Sequence, residues 1–326
     1  MSTIALRGPA RVVLRQHRRT LWVVGGLALL GTAALVTVLL WPAPAADAFA
    51  GSGCSVENTV RGCGDTVRAL LDSENRIRAA IGYATSVMLV LPAFIGLFVA
   101  GPMIGRELES GTYKLAWTQS VSPARWLAAK LAVPAVLTLA GVAVLSMVCS
   151  WAQSRTDRLH DPLQWYDREM YGATGTVPVG YALCMLALGA LAGLVLRHTV
   201  AAMVTTVIAY GPLVVALNHM RDALWPTVTG VYSLKNEDPL PDGASGVTWG
   251  YLTADGRRLP EETCMSHDSA SGFRKCLADE GITQHFVDYH PASHFWPLQL
   301  VETGILLALA GLAVLLAFRV LRRRHG

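Results

Sequence analysis

The sequence has few charged residues. Only 15% of its 326 residues are Asp, Glu, Lys or Arg, whereas soluble domains carry about 25%. Hydrophobic residues make up 52% of the chain, and the mean hydropathy is +0.40. This composition excludes an ordinary soluble domain and indicates a membrane protein.

Motifs for nucleotide binding and hydrolysis are missing as well. A phosphate-binding loop needs a lysine directly after a glycine, and no lysine of this chain follows a glycine. There is no H-E-x-x-H zinc helix and no serine nucleophile elbow. The basic residues are divided among segments that flank apolar runs, so they form no single patch for nucleic acid. We therefore predict that this chain is not an enzyme and holds no catalytic residue, metal or cofactor.

Six apolar runs have the length that crosses a bilayer, about 20 residues. They cover residues 21–41, 81–104, 131–151, 177–196, 199–217 and 298–318. Five of them contain no charged residue, and the sixth contains only Glu302. We predict an all-α polytopic membrane protein with six transmembrane helices. Six crossings place both termini on the same side.

Arginine and lysine are concentrated on one side of these six runs. They lie in segment 1–20, in loop 105–130, at Arg197 between the fourth and fifth runs, and in the tail 319–326. Most acidic residues fall in the loops of the other side, which are 42–80, 152–176 and 218–297. The positive-inside rule therefore predicts a cell-membrane protein whose two termini and loop 105–130 are cytoplasmic.

The N-terminal segment is open to two further interpretations. Its arginines, apolar run and Ala43-Pro44-Ala45 resemble a cleavable signal, but the run exceeds the roughly 7–15 residues of a signal core and five more runs follow. Residues 9–20 either lie on the inner membrane surface as an interfacial helix or form a basic tail that sets orientation.

Four of the six cysteines fall in predicted outer loops, where an oxidising compartment favours disulfides. Four cysteines allow three connectivities. Pairing within each loop is the simplest of these, and it gives Cys54–Cys63 and Cys264–Cys276. The other two cysteines lie inside apolar runs and are expected to be unpaired core residues.

The loop between the second and third runs is short, polar and charged. Ser122 followed by Pro123 predicts that a helix begins there. The loop contains Gly105-Arg106-Glu107-Leu108-Glu109, Gly111-Thr112, Trp117-Thr118-Gln119-Ser120 and Arg125-Trp126. These motifs resemble the first cytoplasmic loop of actinobacterial ABC transporter permeases of the type-2 exporter class. Two other regions resemble the same family, namely Val177-Pro178-Val179-Gly180-Tyr181 with Arg197-His198-Thr199, and Pro291-Ala292-Ser293 with Trp296, Gln299 and Glu302.

The resemblance implies a separate ATPase subunit that carries ATP and Mg²⁺ and docks on this loop. It also implies two permease copies, expected as a homodimer in membrane lipid, with two ATPase subunits. The residues expected at the ATPase contact are Arg106, Glu107, Glu109, Thr112, Lys114, Trp117, Gln119 and Arg125. Tyr113-Lys114 replaces a common His-Arg, and His294 stands where arginine is usual, so details of cargo and coupling do not transfer.

Glu302 is the one acid within an apolar run, and such an acid needs protein partners or water. With Gln299 and Trp296 it is a candidate substrate path or gate on the outer side; the alternative is a structural hydrogen bond. Gly189 and Gly193 form a small-residue pair for close helix packing, either within the chain or across a dimer. Pro92 and Pro212 inside runs indicate either hinges or static kinks.

The predicted function is the permease subunit of an ATP-driven ABC exporter that moves a lipid, amphipathic peptide or antibiotic across the cytoplasmic membrane. Two alternatives remain open. One is a membrane sensor or immunity protein that binds an external ligand through disulfide-bonded loops, the larger being 218–297, where turn residues predict short hairpins or irregular turns. The other is a membrane metalloenzyme that uses His285, His290 and His294.

Overall fold

The computed structural model describes residues 18–40, 43–56, 62–114, 122–234, 240–265 and 269–325. Within these residues, six helices are long and apolar enough to cross a membrane. The prediction of six candidate membrane-spanning helices in a mostly helical chain is therefore confirmed.

The helices are numbered in chain order. They are α1 (Arg18–Leu40), α2 (Ala43–Ser52), α3 (Gly64–Ile95), α4 (Gly101–Ser110), α5 (Pro123–Gln153), α6 (Arg168–Ala173), α7 (Val177–Leu196), α8 (Thr199–Met220), α9 (Ala270–Asp279) and α10 (Phe295–His325). The chain divides into two compact units. The membrane unit comprises Met1–Leu163, Asp167–Val215 and Glu302–Gly326, and the sheet unit comprises Gln164–Tyr166 and Ala216–Val301.

Helices α3 and α4 form one continuous helical rod, because a π-helical turn at Gly96–Ala100 joins them. The rod extends over 47 residues, from Gly64 to Ser110. Pro92 lies inside it, and a proline removes one hydrogen bond from the helical ladder. The rod ends where Gly111 adopts φ 73°, a left-handed conformation that glycine tolerates without strain.

The helices on either side of the polar loops begin and end at recognisable caps. Ser122 Oγ accepts a hydrogen bond from Arg125 N at 3.4 Å, and Pro123 is the first residue of α5. This is the helix start that the sequence predicts. Arg197, the residue that caps the end of α7, has φ 57°, and its backbone N–H donates a hydrogen bond to Gly193 O at 3.1 Å. The left-handed Arg197 reverses the chain so that α8 begins at Thr199.

A buried apolar cluster joins the ends of four helices on the side of the membrane unit where α4 ends. It packs α4 and α7 against α5 and the last turns of α10. Its buried members are Ala100, Met103, Ile104, Trp126, Leu127, Leu131, Leu186, Ala190, Leu194, Ala317 and Leu321. The cluster therefore fixes the surroundings of the charged residues described below.

The sheet unit contains four antiparallel strands in the order β1-β4-β2-β3. The strands are β1 (Val228–Ser233), β2 (Ser245–Thr253), β3 (Arg258–Pro260) and β4 (Ile282–His290). The expectation of an all-α chain is therefore wrong for this unit. Phe286 and Val287 are both buried, so β4 has apolar contacts on both faces and lacks the alternation that marks a half-buried strand. The turn residues Asp255-Gly256 join β2 to β3.

The structure contains both disulfides of the simplest connectivity. Cys54–Cys63 links the chain after α2 to the start of α3 in the membrane unit. Cys264–Cys276 links the 3₁₀ turn Glu261–Cys264 to α9 in the sheet unit. Cys149 and Cys184 are free thiols, and both are buried.

Candidate functional site

Glu107, near the end of α4, bridges to α5. Its carboxylate accepts a hydrogen bond from Trp126 Nε1 at 3.0 Å and pairs with Lys130 Nζ at 2.5 Å. The Lys130 side chain is only 8% exposed and that of Glu107 is 24% exposed. A buried ammonium needs a compensating charge, so Glu107 holds the helices on both sides of the polar loop in one arrangement.

Glu109 bridges from the last turn of α4 to the start of α8. Its Oε2 accepts hydrogen bonds from Thr199 N at 2.9 Å and Thr199 Oγ1 at 2.7 Å. An acidic side chain also complements the positive end of the α8 dipole. His198 Nδ1 lies 3.7 Å from the other carboxylate oxygen.

Glu109 lies beyond the apolar run that ends at Ile104, and its carboxyl group is ionised at neutral pH. The hydrogen bonds from the Thr199 backbone and hydroxyl lower the pKa of Glu109 below its ordinary value. Because the pKa is lowered, these hydrogen bonds contribute their full stability at any pH above the ordinary pKa of a glutamate. The contribution is lost only when the pH falls through the lowered pKa. The bridge to α8 is therefore fully formed at neutral pH.

The backbones of α4 and α7 approach closely beside these two acids. A Cβ added at Gly193 would lie 3.1 Å from Gly105 N, and one added at Gly189 would lie 2.8 Å from Gly96 O. The small-residue pair of the fourth apolar run therefore packs against the second run of the same chain. This settles the open choice between packing within the chain and packing across a dimer for that face.

The residues predicted to contact an ATPase divide into two groups. Glu107 and Glu109 bond to other helices of this chain. The side chains with no such bridging role are exposed: Arg106, Thr112, Lys114 and Arg125. Trp117 and Gln119 lie outside the described residues.

Sequence reasoning did not identify Trp126, Lys130 and Thr199 as partners of the two acids. Lys130 stands immediately before an apolar run of 21 residues, where a lysine ordinarily extends its ammonium to the interfacial water, so its position gave no signal for a carboxylate partner. Nothing in the sequence pairs Glu109 with Thr199, which is 90 residues away along the chain.

A second polar cluster lies inside the membrane unit and joins four helices. Tyr181 of α7 donates its hydroxyl hydrogen bond to Glu302 Oε1 of α10 at 3.0 Å, and Glu302 is fully buried. The Tyr181 ring packs edge to face on Tyr210 of α8, with centroids 6.1 Å apart. Tyr210 in turn donates to Leu89 O of α3. Glu302 therefore lies in a protein-lined interior.

The other two residues of the predicted substrate path lie in the sheet unit. Gln299 is fully buried, whereas the Trp296 side chain is 56% exposed. In the membrane unit, the residue after Glu302 adds a further link, because the hydroxyls of Thr303 and Thr176 are 2.8 Å apart.

Two of the clustered histidines bond to each other in the sheet unit. His290 Nε2 donates to Asp222 O at 3.1 Å, and the Nδ1 atoms of His290 and His294 are 3.0 Å apart. A carbonyl only accepts, so Nε2 of His290 carries a proton. Both nitrogens of His290 are thus in use, and His285 packs against Tyr232 instead. Among the described residues, no group of three His, Cys, Asp or Glu side chains has the arrangement of a metal site.

Comparison with known proteins gives one family. A family model described as "ABC-2 membrane transporter related" matches residues 26–221, which is more than half of the chain. The matched region contains both carboxylate bridges and the Gly189–Gly193 packing face, and it ends before β1. No curated protein matches the chain.

Proposed function

Because the chain belongs to the ABC-2 membrane transporter related family, we propose that it is the membrane-spanning subunit of an ATP-driven exporter. Members of this family are membrane components of ABC transporters, and the six apolar helices fit a multi-pass permease. ATP hydrolysis is assigned to a separate ABC ATPase, the usual partner of this family. The proposed cargo is a lipid, an amphipathic peptide or an antibiotic.

The observation that carries the proposal is the pair of carboxylate bridges at the end of α4. Glu107 connects α4 to α5, and Glu109 connects α4 to α8. Because α4 is the last part of a rod that begins at Gly64, a displacement of its end acts on three membrane helices together. A coupling element needs this property, since the force of a partner must reach the helices that line the path.

The contact with the ATPase is assigned to the exposed side chains around this end. Arg106, Thr112, Lys114 and Arg125 project from the chain and include three cations. Exposed ion pairs each contribute about 0–1 kcal/mol, so docking depends on several contacts and on shape. Glu107 and Glu109 are proposed to transmit the motion and not to bind the partner.

We assign the side bearing these cations to the cytoplasm. The exposed Arg197, Arg319, Arg322 and Arg323 lie at the ends of α7 and α10, and the positive-inside rule favours this orientation. Both termini would then be cytoplasmic, and both disulfides would lie outside the cell membrane.

The proposed complex contains two copies of this chain and two ATPase subunits. Large apolar side chains on several helices are exposed in the single chain, including Val136 and Met147 of α5, Val200 and Ile208 of α8, and Leu315 of α10. Lipid or a second copy must cover these faces, since water does not.

The experiment that tests the proposal uses Glu109 and the ATPase that purifies with the chain. Replacement by alanine removes the acceptor of two Thr199 hydrogen bonds but leaves the exposed docking residues intact. We expect the Glu109→Ala complex to retain its ATPase subunit. In lipid nanodiscs, however, its rate of ATP hydrolysis should no longer differ from that of the ATPase subunit without the permease. Glu109→Gln keeps an acceptor oxygen and should behave much like the original chain.

Two results would contradict the proposal. One is equal permease-dependent hydrolysis in the original, Glu109→Ala and Glu109→Gln complexes. The other is purification from native membranes without any ATPase but with a ligand bound to the sheet unit, which would favour the sensor or immunity protein.

A further inference from the structure

A cleft of about 500 Å³ opens on the membrane unit around the middle of α3, away from the Ser110 end of the rod. All of its lining residues belong to this one unit. One wall is the α3 segment from Arg78 to Ser86, and the other is formed by Leu163 and Asp167–Met170. Ligand sites commonly have volumes of about 300–1,000 Å³, so the cleft is large enough for a polar head group with part of an apolar chain.

The lining carries charges of both signs. Arg78 and Arg168 are cationic, whereas Asp167 and Glu169 are anionic. Arg78 is already paired with Asp161, so the opposite charges of the neighbouring Arg168 and Glu169 decide which ligand the cleft favours. A lining of one sign would select an ion of the opposite sign, whereas two adjacent opposite charges complement a group that carries both charges itself.

The cleft also combines polar and apolar surface along α3. Its charged α3 residue, Arg78, precedes the apolar run that begins at Ile81, while Ile81, Tyr83 and Thr85 belong to that run. Ile81 and Thr85 are buried in the floor, and Tyr83 is 76% exposed at the rim. A molecule with a polar head and an apolar tail fits this arrangement. Its head would lie at the charged end of the cleft, and its tail would lie along the apolar run, which is the part of α3 expected to enter the bilayer.

The loop that carries one wall is held in place from α3. Arg78 Nη2 pairs with Asp161 Oδ2 at 2.5 Å, and His160 N donates to Glu74 Oε1 at 3.3 Å. Leu163 N donates to Thr156 Oγ1 at 3.2 Å. A site with preset walls loses less conformational entropy on binding than a mobile one.

The α6 part of the same wall is equally fixed. Helix α6 packs so closely on α3 that a Cβ added at Gly172 would lie 2.5 Å from Leu89 Cδ2. Ser146 Oγ of α5 bonds Gly175 O at 2.9 Å just after α6. These contacts set the position of Arg168 and Glu169 at the start of α6 relative to α3.

We propose that this cleft binds the zwitterionic head group of an amphiphile, which carries an ammonium and an anionic group. Arg168 contacts the anionic group, since Arg78 is already paired with Asp161, and Glu169 contacts the ammonium. The apolar tail leaves the cleft past Tyr83. The ligand class stands on the cleft alone, and only its identification as exported cargo rests on the proposed function.

Native mass spectrometry of the full chain in an uncharged detergent tests the binding. The probes are lysophosphatidylethanolamine, which is zwitterionic, and lysophosphatidylglycerol, which is anionic. We expect preferential binding of the zwitterionic probe and about a tenfold weaker affinity in the double variant Arg168→Ala/Glu169→Ala, as two exposed charge contacts predict. Arg76→Ala is the matched control, because Arg76 is exposed on α3 but does not line the cleft.

The result that overturns the inference is equal binding of the two probes, or equal affinity in the double variant and the Arg76→Ala control. Arg168→Lys/Glu169→Asp retains both charges and should bind nearly as the original chain, which separates loss of charge from misfolding. A second experiment, which measures transport of the zwitterionic probe with the ATPase present, distinguishes the two sources of the ligand. Transport of the zwitterionic probe supports a cargo site, whereas binding without transport supports a site for a resident membrane lipid.

Discussion

Replacing Glu107 with alanine is expected to lower the free energy of unfolding by about 3 kcal/mol, because it leaves Lys130 buried without its carboxylate. Breaking a fully buried ion pair costs about 3–5 kcal/mol. The lower end applies because the Glu107 side chain is 24% exposed while that of Lys130 is 8% exposed. Trp126 Nε1 loses its 3.0 Å acceptor in the same variant. Chemical unfolding of the chain in detergent micelles, followed by tryptophan fluorescence, measures the change.

A compensated variant distinguishes the ion pair from a general effect of mutation at this site. Glu107→Gln keeps an oxygen that accepts from Trp126 Nε1, and Lys130→Met replaces the ammonium with an apolar group of similar length. Since removing both charges together is often nearly neutral, we expect the double variant to lie within about 1 kcal/mol of the original chain. If Glu107→Ala and the double variant lose the same stability, the pair does not hold α4 to α5.

Replacing Gly189 with alanine is expected to destabilise the chain by roughly 1–3 kcal/mol through overpacking. The new Cβ would lie 2.8 Å from Gly96 O and 3.0 Å from Ala100 Cβ. Neither atom belongs to a flexible side chain, so relief requires α7 to move away from the π-helical turn. The thermal unfolding midpoint in detergent measures the loss.

Gly141 in α5 provides the matched control, because a Cβ there meets nothing within 4 Å. Alanine in place of a helical glycine gains about 0.5–1 kcal/mol when nothing obstructs it. The two identical substitutions are therefore expected to act in opposite directions. A shift of the same sign and size at both positions would refute close packing of α7 against α3 and α4.

The apolar runs and the caps were accessible from the sequence, because both depend on local chemistry. A run without charge must leave water, and Ser122 followed by Pro123 is a local signal for the start of α5. The partner of the Gly189 face was not accessible, since small residues permit a close approach without specifying which helix approaches. The same holds for Tyr181 and Glu302, which lie 121 residues apart in the chain.

Glu107 and Glu109, the two acids of the predicted loop 105–130, show what motifs alone do not predict. Position in a charged loop predicts that Glu107 and Glu109 face a partner, yet both bond to helices of their own chain. Their bonds depend on where α5 and α8 lie relative to α4, which local sequence does not encode. The sheet was predicted only in part. Turn residues of loop 218–297 indicated short hairpins, and β2 and β3 form one. The strand that carries Phe286 and Val287 was not predicted, because it is buried on both faces and lacks the two-residue alternation of a half-buried strand.

We propose that the Ser110 end of the α3–α4 rod faces the cytoplasm and contacts the ATPase. A photo-crosslinking amino acid placed at Ser110 tests this contact in native membranes. A second variant with the same amino acid at Asp72 is the matched control. Both residues are exposed on the same rod, about 57 Å apart at 1.5 Å per residue, which exceeds a bilayer of about 40–45 Å. We predict a crosslink to the ATPase from position 110 and none from position 72; a crosslink from position 72 alone would contradict the account.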